Sequence, residues 1–72
     1  MAEIKFFGYL SELVGTRIME LSLDHPMPLR ELVPPGFPES NIIILINQRV
    51  GNLDSEITNQ DRVVLMPILS GG

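Results

Sequence analysis

The chain contains no cysteine, and it has only one histidine and one lysine among its 72 residues. The lack of cysteine excludes disulfides, thiolate metal ligands and a cysteine nucleophile, and it fits a reducing compartment. His25 stands between Asp24 and Pro26, which is typical of a surface turn and not of a metal site. No apolar run approaches the ~20 residues that span a bilayer. Because Glu3 and Lys5 interrupt the first apolar residues, no signal peptide is expected, and we predict a cytoplasmic protein.

Positive charge is also scarce, with five basic residues against nine acidic ones and a net charge of −4. The basic residues are scattered along the chain, at Lys5, Arg17, Arg30, Arg49 and Arg62. Such a distribution argues against nucleic acid or an anionic membrane as a partner. The net charge favours a basic protein partner, although modest acidity also serves solubility.

The sequence offers no catalytic set of its own. Asp54 and Glu56 are spaced to share one side of an extended segment, but nothing indicates a pocket that would tune them for acid–base work. Ser70 has no base near it in sequence, which makes a catalytic triad improbable. No glycine-rich phosphate loop follows a strand, so independent nucleotide binding is not expected. Any chemistry at this chain would therefore be supplied by another protein.

Hydrophobic periodicity and turn residues divide the chain into short elements, which we interpret as one domain over residues 1–69 and a tail over 70–72. Alternation predicts strands, and spacing of three and four predicts helical turns. The predicted strands cover residues 1–8, 17–23, 41–47 (buried on both faces), 49–50 and 62–69. Helical turns are predicted over 9–14 and a short helix over 28–33, with turns at 24–26, 47–48 and 59–61 and an irregular connection over 53–57.

This order of elements predicts an α+β fold, a mixed sheet packed on one short helix in the β-grasp, ubiquitin-like arrangement. One helix covers one face of the sheet and leaves the other uncovered. The apolar candidates for the uncovered face are Phe7, Ile18, Ile43, Leu45, Val64 and Met66. An apolar sheet face without a covering element marks a partner site; alternatively, residues 9–14 and 53–57 fold back to cover part of it.

The sequence ends in Gly71-Gly72, directly after the last apolar strand and Ser70. Glycine has no Cβ, so such a tail is thin and takes backbone angles closed to other residues. We expect a flexible tail whose Gly72 carboxylate, ionised at neutral pH, can be activated by an enzyme, with Ser70 and Gly71 small enough to thread a narrow channel. The alternative is a frayed end in which the glycines are incidental.

Four segments carry a family resemblance. Residues 6–15 read FFGYLSELVG, and residues 66–72 read MPILSGG. Together with Ile46-Asn47 and Asp61-Arg62-Val63, they resemble the small subunit of molybdopterin synthase, a family of sulfur carriers with a ubiquitin-like β-grasp fold. The resemblance covers both ends of the chain, and the tail is its most specific part.

The resemblance implies a sulfur carrier that binds no cofactor itself. An adenylating enzyme similar to ubiquitin-activating enzymes would use ATP and Mg to adenylate the Gly72 carboxylate, and a sulfur donor would convert it to a thiocarboxylate. The tail would then enter the large catalytic subunit of molybdopterin synthase, in a heterotetramer. Its sulfur would build the dithiolene of molybdopterin in molybdenum cofactor biosynthesis, so this chain would be a non-catalytic small subunit and sulfur donor.

The implied docking surface combines the uncovered sheet face with the last strand. Its predicted partner-binding residues are Phe7, Val64, Met66, Pro67, Ile68 and Leu69. Three positions depart from the family pattern: Ser11 replaces an arginine, Gln60 a glycine and Ile68 a second proline.

Three other interpretations stay open. A sulfur carrier of thiamin thiazole synthesis also ends in Gly-Gly on this fold, although the insertion over 9–15 disfavours it. A ubiquitin-like modifier would be conjugated to lysines through Gly72, and Lys5 would be its only site for chain building. A plain interaction module would leave the glycines without a role.

Overall fold

The computed structural model describes residues 1–68. They contain seven strands, one α-helix and one 3₁₀ helix. The elements follow one another as β1 (Ala2–Phe6), α1 (Tyr9–Val14), β2 (Ile18–Leu21), β3 (Met27–Pro28), a 3₁₀ helix (Leu29–Leu32), β4 (Ile42–Ile46), β5 (Arg49–Val50), β6 (Glu56–Ile57) and β7 (Arg62–Pro67).

Five of the strands form one mixed sheet in the order β2-β1-β7-β4-β5, and β3 pairs with β6 in a small second sheet. Strand β1 lies antiparallel to β2 and parallel to β7 at the centre of the sheet. Strand β7 is antiparallel to β4, which is antiparallel to β5. The predicted β-grasp arrangement, a mixed sheet with one short α-helix, is confirmed.

The core lies on one face of the sheet, as the strict alternation of buried and partly buried residues along β1 requires. Phe6 is buried and meets Phe37 edge-on, with ring centroids 6.1 Å apart. Helix α1 adds Leu10, and the 3₁₀ helix adds Leu29. The buried core consists of Ala2, Ile4, Phe6, Leu10, Leu29, Val33, Phe37, Ile44, Leu53, Ile57, Val63 and Leu65.

The segment predicted as a helix over residues 28–33 forms a single 3₁₀ turn over Leu29–Leu32. The amides of Leu29 and Arg30 donate to the carbonyls of Ser55 and Leu53 at 2.9 and 2.8 Å, so they bond across to another segment. Val33 is extended because it precedes Pro34, and a residue before proline is disfavoured in the α region. Leu29 and Val33 are buried, so this segment still contributes apolar side chains to the core.

Two other predictions for the middle of the chain are wrong in part. Residues 53–57 are not wholly irregular, because Glu56–Ile57 pairs with Met27–Pro28 as β6 with β3. The strand predicted over 41–47 is buried on one face only, and Ile43 is 37% exposed. Both errors have one cause: burial and pairing here depend on which distant segments come together.

A hydrogen-bond network joins the hairpin turn at Asn47 to the turn before β7. The Asp61 carboxylate accepts from the Asn47 side-chain amide at 2.8 Å and from the Thr58 backbone amide at 2.7 Å. The Asn47 side-chain oxygen accepts from the Arg62 amide at 3.0 Å. Partial burial raises the pKa of Asp61, but these hydrogen bonds to its charged form outweigh burial and hold the pKa below its usual value.

The lowered pKa of Asp61 makes the free energy of unfolding depend on pH. Ionised Asp61 stabilises the fold above its unfolded-state pKa of about 3.9, and that stabilisation is lost as the pH falls through the lower folded-state value. We expect Asp61→Asn to cost about 1 kcal/mol at neutral pH and to flatten the acid limb of the stability curve. Urea unfolding at several pH values measures both. Asp24→Asn, in an exposed turn, is the control; equal effects of the two substitutions would contradict the prediction.

Candidate functional site

One face of the five-stranded sheet is uncovered by any element within residues 1–68. The register places Lys5 between Ile18 of β2 and Val64 of β7, and the next cross-strand pair toward the far end is Met66 with Ile43. We call this surface the open face. Its apolar members are Phe7, Ile18, Ile43, Leu45, Val50, Val64 and Met66, and its charged members are Glu3, Lys5, Glu20 and Arg62.

Four of the seven apolar side chains of the open face are exposed to solvent, those of Phe7, Ile18, Ile43 and Val50. Phe7 is 49% exposed and Ile18 is 50% exposed. Residues 9–14 and 53–57 do not fold over this face, because they insert Leu10, Leu53 and Ile57 into the core on the other side. The alternative that these segments cover the apolar face is therefore wrong, and all six residues predicted for that face lie on it.

The structure brings together some of the predicted partner-binding residues and separates another. Phe7, Val64 and Met66 share the open face, and Ile68 is 48% exposed just beyond β7, where its amide donates to the carbonyl of Asn41 at 2.9 Å. Pro67 lies on the core side of β7, beside Ile42 in the register. The predicted residues Leu69, Ser70, Gly71 and Gly72 lie outside the described residues, as does the predicted domain boundary.

A close backbone approach connects Pro67 to the start of α1. Gly8 has φ +58°, and a Cβ added there would lie 3.0 Å from Cγ of Pro67. The carbonyl of Gly8 accepts from the amide and the hydroxyl of Ser11 at 3.2 and 2.9 Å, which begins the helix. The glycine thus serves both the turn out of β1 and the contact with the last strand.

We expect Gly8→Ala to destabilise the protein by about 1–3 kcal/mol, because it combines a left-handed backbone with a steric contact to Pro67. Gly15→Ala is the control. Gly15 ends α1 with φ +92° but has open space where a Cβ would be, so only the backbone cost of about 1–2 kcal/mol applies. Thermal unfolding compares the two variants, and a larger loss at Gly15 than at Gly8 would show that the Pro67 contact is unimportant.

Two shallow clefts flank Lys5 on the open face. One, of about 490 Å³, lies between β1, β2 and the start of α1, and it is lined by Lys5, Phe6, Phe7, Gly8, Ser11, Arg17 and Ile18. The other, of about 420 Å³, is lined by Glu3, Lys5, Leu45, Asn47, Gln48, Arg62, Val63 and Val64. Sequence reasoning did not single out these basic residues, although the alternation Ile4-Lys5-Phe6 already placed Lys5 opposite the core.

Arg30 joins three segments on another side of the molecule. It lies 2.9 Å from a carboxylate oxygen of Glu39 and 3.1 Å from one of Asp54. Hydrogen bonding to Arg30 holds the pKa of Glu39 below its usual value. These side chains are largely exposed, and such pairs contribute little stability. Asp54 therefore binds Arg30 as a surface contact between loops, while Glu56 is exposed on β6.

The family comparison covers nearly the whole chain. The model of the ThiS family matches residues 4–72. The chain belongs to the ThiS family. It is therefore a ubiquitin-like sulfur carrier by family, and the prediction of a sulfur-carrier family with this fold is confirmed. No curated protein sequence matches the chain.

Solved structures agree with this fold. Small archaeal modifier protein 1 from Haloferax volcanii has a TM-score of 0.70 at 21% identity, with 99% of this chain and 98% of that chain covered. Its namesake from Methanosarcina acetivorans has a TM-score of 0.65 at 22% identity, covering 99% and 95%. A Pyrococcus furiosus protein provisionally named molybdopterin converting factor, subunit 1, has a TM-score of 0.67 at 21% identity, covering 94% and 97%. At these identities the likeness shows the fold.

Two features of residues 1–68 concern membranes and metal ions. In that part of the chain, no helix is long and apolar enough to cross a membrane. No group of three or more His, Cys, Asp or Glu side chains lies close enough together there to hold a metal ion.

Proposed function

We propose that this ThiS-family chain is the small subunit of a molybdopterin synthase and carries sulfur on its Gly72 carboxylate in the cytoplasm. The observation that carries the proposal is the family match through residue 72, which includes the Gly71-Gly72 end. The open face beside β7 supports it, because β7 leads directly to that end and offers apolar area for docking.

The proposed chemistry takes place at one carboxylate. An oxygen of Gly72 attacks the α-phosphorus of ATP on an adenylating enzyme that supplies Mg, and pyrophosphate leaves. Hydrosulfide supplied by a sulfur donor then attacks the acyl carbon, AMP and a proton leave, and a thiocarboxylate results. Adenylation is needed because a carboxylate is a poor electrophile, whereas AMP is a good leaving group. The thiocarboxylate sulfur is a nucleophile for building the dithiolene of molybdopterin inside the large subunit.

The geometry suits a carrier that docks with its body and reacts at its end. From Leu69 to Gly72 a fully extended chain spans at most about 14 Å, so the reacting atom can pass beyond the docked surface. Phe7 and Met66 would pack against the partner, together with Ile68, and the exposure of Phe7 and Ile68 gives a docked complex apolar area to bury. Partner contact through Pro67 and Leu69, and the heterotetramer, are further parts of the proposal.

Intact mass spectrometry tests the proposal. The full chain is incubated with its cognate adenylating enzyme, ATP, Mg and a sulfur donor, and we expect a mass gain equal to the difference between sulfur and oxygen. Omission of ATP is the control and leaves the mass unchanged. If no cognate adenylating enzyme produces the gain, the sulfur-carrier proposal is wrong. Supply of the charged protein to a molybdopterin-synthase large subunit or to a thiazole synthase then separates those two pathways.

A protein modifier is the second candidate, favoured by the fold shared with small archaeal modifier protein 1. A modifier would give lysine conjugates through Gly72 in the same incubation with target proteins. Lys5 is the chain's only lysine, and it lies on the open face between Ile18 and Val64. Conjugates built on this chain itself would therefore cover its own docking surface, so a modifier would act mainly as single copies.

A further inference from the structure

The open face has a charge balance opposite to that of the whole molecule. Three of the five basic residues lie on it or at its edge, at Lys5, Arg17 and Arg62. Only Glu3 and Glu20, of nine acidic residues, share it. The remaining carboxylates lie on α1, the 3₁₀ helix, β6 and the loops. The net charge of −4 therefore describes the other surfaces.

Arg17 is a cation at the edge of this face that has no carboxylate partner within residues 1–68. It lines the 490 Å³ cleft together with Lys5, Phe7 and Ile18. Within residues 1–68 no carboxylate lies within 4 Å of Arg17, whereas Arg30 has two. Lys5 has only Glu3, at 3.9 Å.

Docking changes the cost of these charges. A partner that covers Phe7 and Ile18 also removes water from Arg17 and Lys5, and a buried cation without a counter-charge is strongly unfavourable. A carboxylate is the group that compensates best, because it accepts two parallel hydrogen bonds from a guanidinium. A basic partner surface would add repulsion instead.

We propose that the protein docking on the open face presents an Asp or Glu side chain, flanked by apolar residues, whose carboxylate sits between Arg17 and Lys5. The inference rests on the proposed function, which supplies the adenylating enzyme as the first such partner. It reverses the expectation of a basic partner drawn from net charge. Arg17 is assigned to recognition of the partner and not to the chemical step.

Steady-state adenylation with matched charge reversals tests this. In ATP–pyrophosphate exchange by the cognate adenylating enzyme, with the full chain as the varied substrate, we expect Arg17→Glu to raise KM about tenfold or more at low salt. We expect kcat to stay within about twofold, because an interaction that only holds the docked partner changes binding and not the chemical step. Added salt raises the wild-type KM, because it screens the attraction between the charges, and it narrows the difference in KM between the wild type and Arg17→Glu. Arg49→Glu, in the exposed hairpin away from the cleft, makes the same change in net charge and is the control.

The outcomes separate the two proposals. Equal KM values for Arg17→Glu and Arg49→Glu, or a lower KM for Arg17→Glu, overturn the carboxylate inference while wild-type adenylation leaves the proposed function intact. If the wild-type chain is not adenylated, the proposed function fails and this inference fails with it. Arg17→Gln, which removes charge without reversing it, should give a smaller rise in KM at an unchanged melting temperature. Restoration of the Arg17→Glu KM by a carboxylate-to-arginine exchange on the enzyme would identify the partner group.

Discussion

Deletion of Gly72 is expected to abolish formation of the thiocarboxylate and to leave the thermal stability almost unchanged. The shortened chain still ends in a carboxylate, at Gly71, but that group lies up to ~3.6 Å short of the position that Gly72 would reach. Activation and sulfur transfer depend on near-contact alignment of the reacting atoms. Within residues 1–68 the last residue of the buried core is Leu65, and we expect a stability change within about 0.5 kcal/mol.

The control for this deletion keeps the length of the tail. Ser70→Ala removes a hydroxyl and leaves both glycines in place, so we expect it to gain sulfur at close to the wild-type rate. Intact mass and thermal melting are measured on both proteins. Sulfur incorporation by the protein lacking Gly72 would show that the reactive group lies elsewhere. A drop of many degrees in its melting temperature would show that the end of the chain is part of the folded core.

Phe6→Ala and Phe7→Ala, at neighbouring positions, are expected to have different effects: the first lowers the stability of the fold, and the second raises the KM for adenylation. Phe6 is 2% exposed and packs edge-on against Phe37, so its truncation should cost about 3–5 kcal/mol. A domain of this size has a total stability of roughly 4–11 kcal/mol. The Phe6 variant should therefore be largely destabilised, and urea unfolding followed by circular dichroism measures the loss.

Phe7→Ala serves as the matched control, since it removes the same ring from a side chain that is 49% exposed. We expect a stability change below about 1 kcal/mol and an increase in the KM for adenylation, because Phe7 belongs to the open face. If Phe7→Ala destabilises the fold as much as Phe6→Ala, the Phe7 side chain is packed inside the protein and is not available to a partner. If Phe7→Ala leaves KM unchanged, docking uses a different surface.

Local patterns were sufficient for most of the elements. Alternation identified Phe7, Val64 and Met66 as facing away from the core, and the helical turns predicted over 9–14 coincide with α1. The turn at Asn47-Gln48 was also predicted correctly, and both residues have positive φ. These features depend on backbone preferences and on a period of two or 3.6 residues, which are written in neighbouring positions.

The open face was predictable to a lesser degree. Alternation identified its apolar residues, but it did not indicate that the ring of Pro67, on the core side of β7, approaches Gly8. The gathering of Lys5 and Arg17 in one cleft was not predictable either. It depends on how the bend at Arg17, whose carbonyl accepts from the Phe6 amide at 2.8 Å, lies beside β1 and the start of α1.

The amino-acid order alone supplies the Gly71-Gly72 end that we propose as the reactive site, the expectation that this chain has no catalytic set of its own, and the strand pattern of a β-grasp domain. Tertiary contacts decide the pairing of β3 with β6, the conversion of the predicted helix into a 3₁₀ turn, and the sign of charge on the open face. The reason is physical. Local geometry follows from residues a few positions apart, whereas burial and local charge follow from which distant segments share a surface. For this chain, a molecule of net charge −4 therefore has an open face with more basic than acidic residues, and this is the basis of the proposed carboxylate partner.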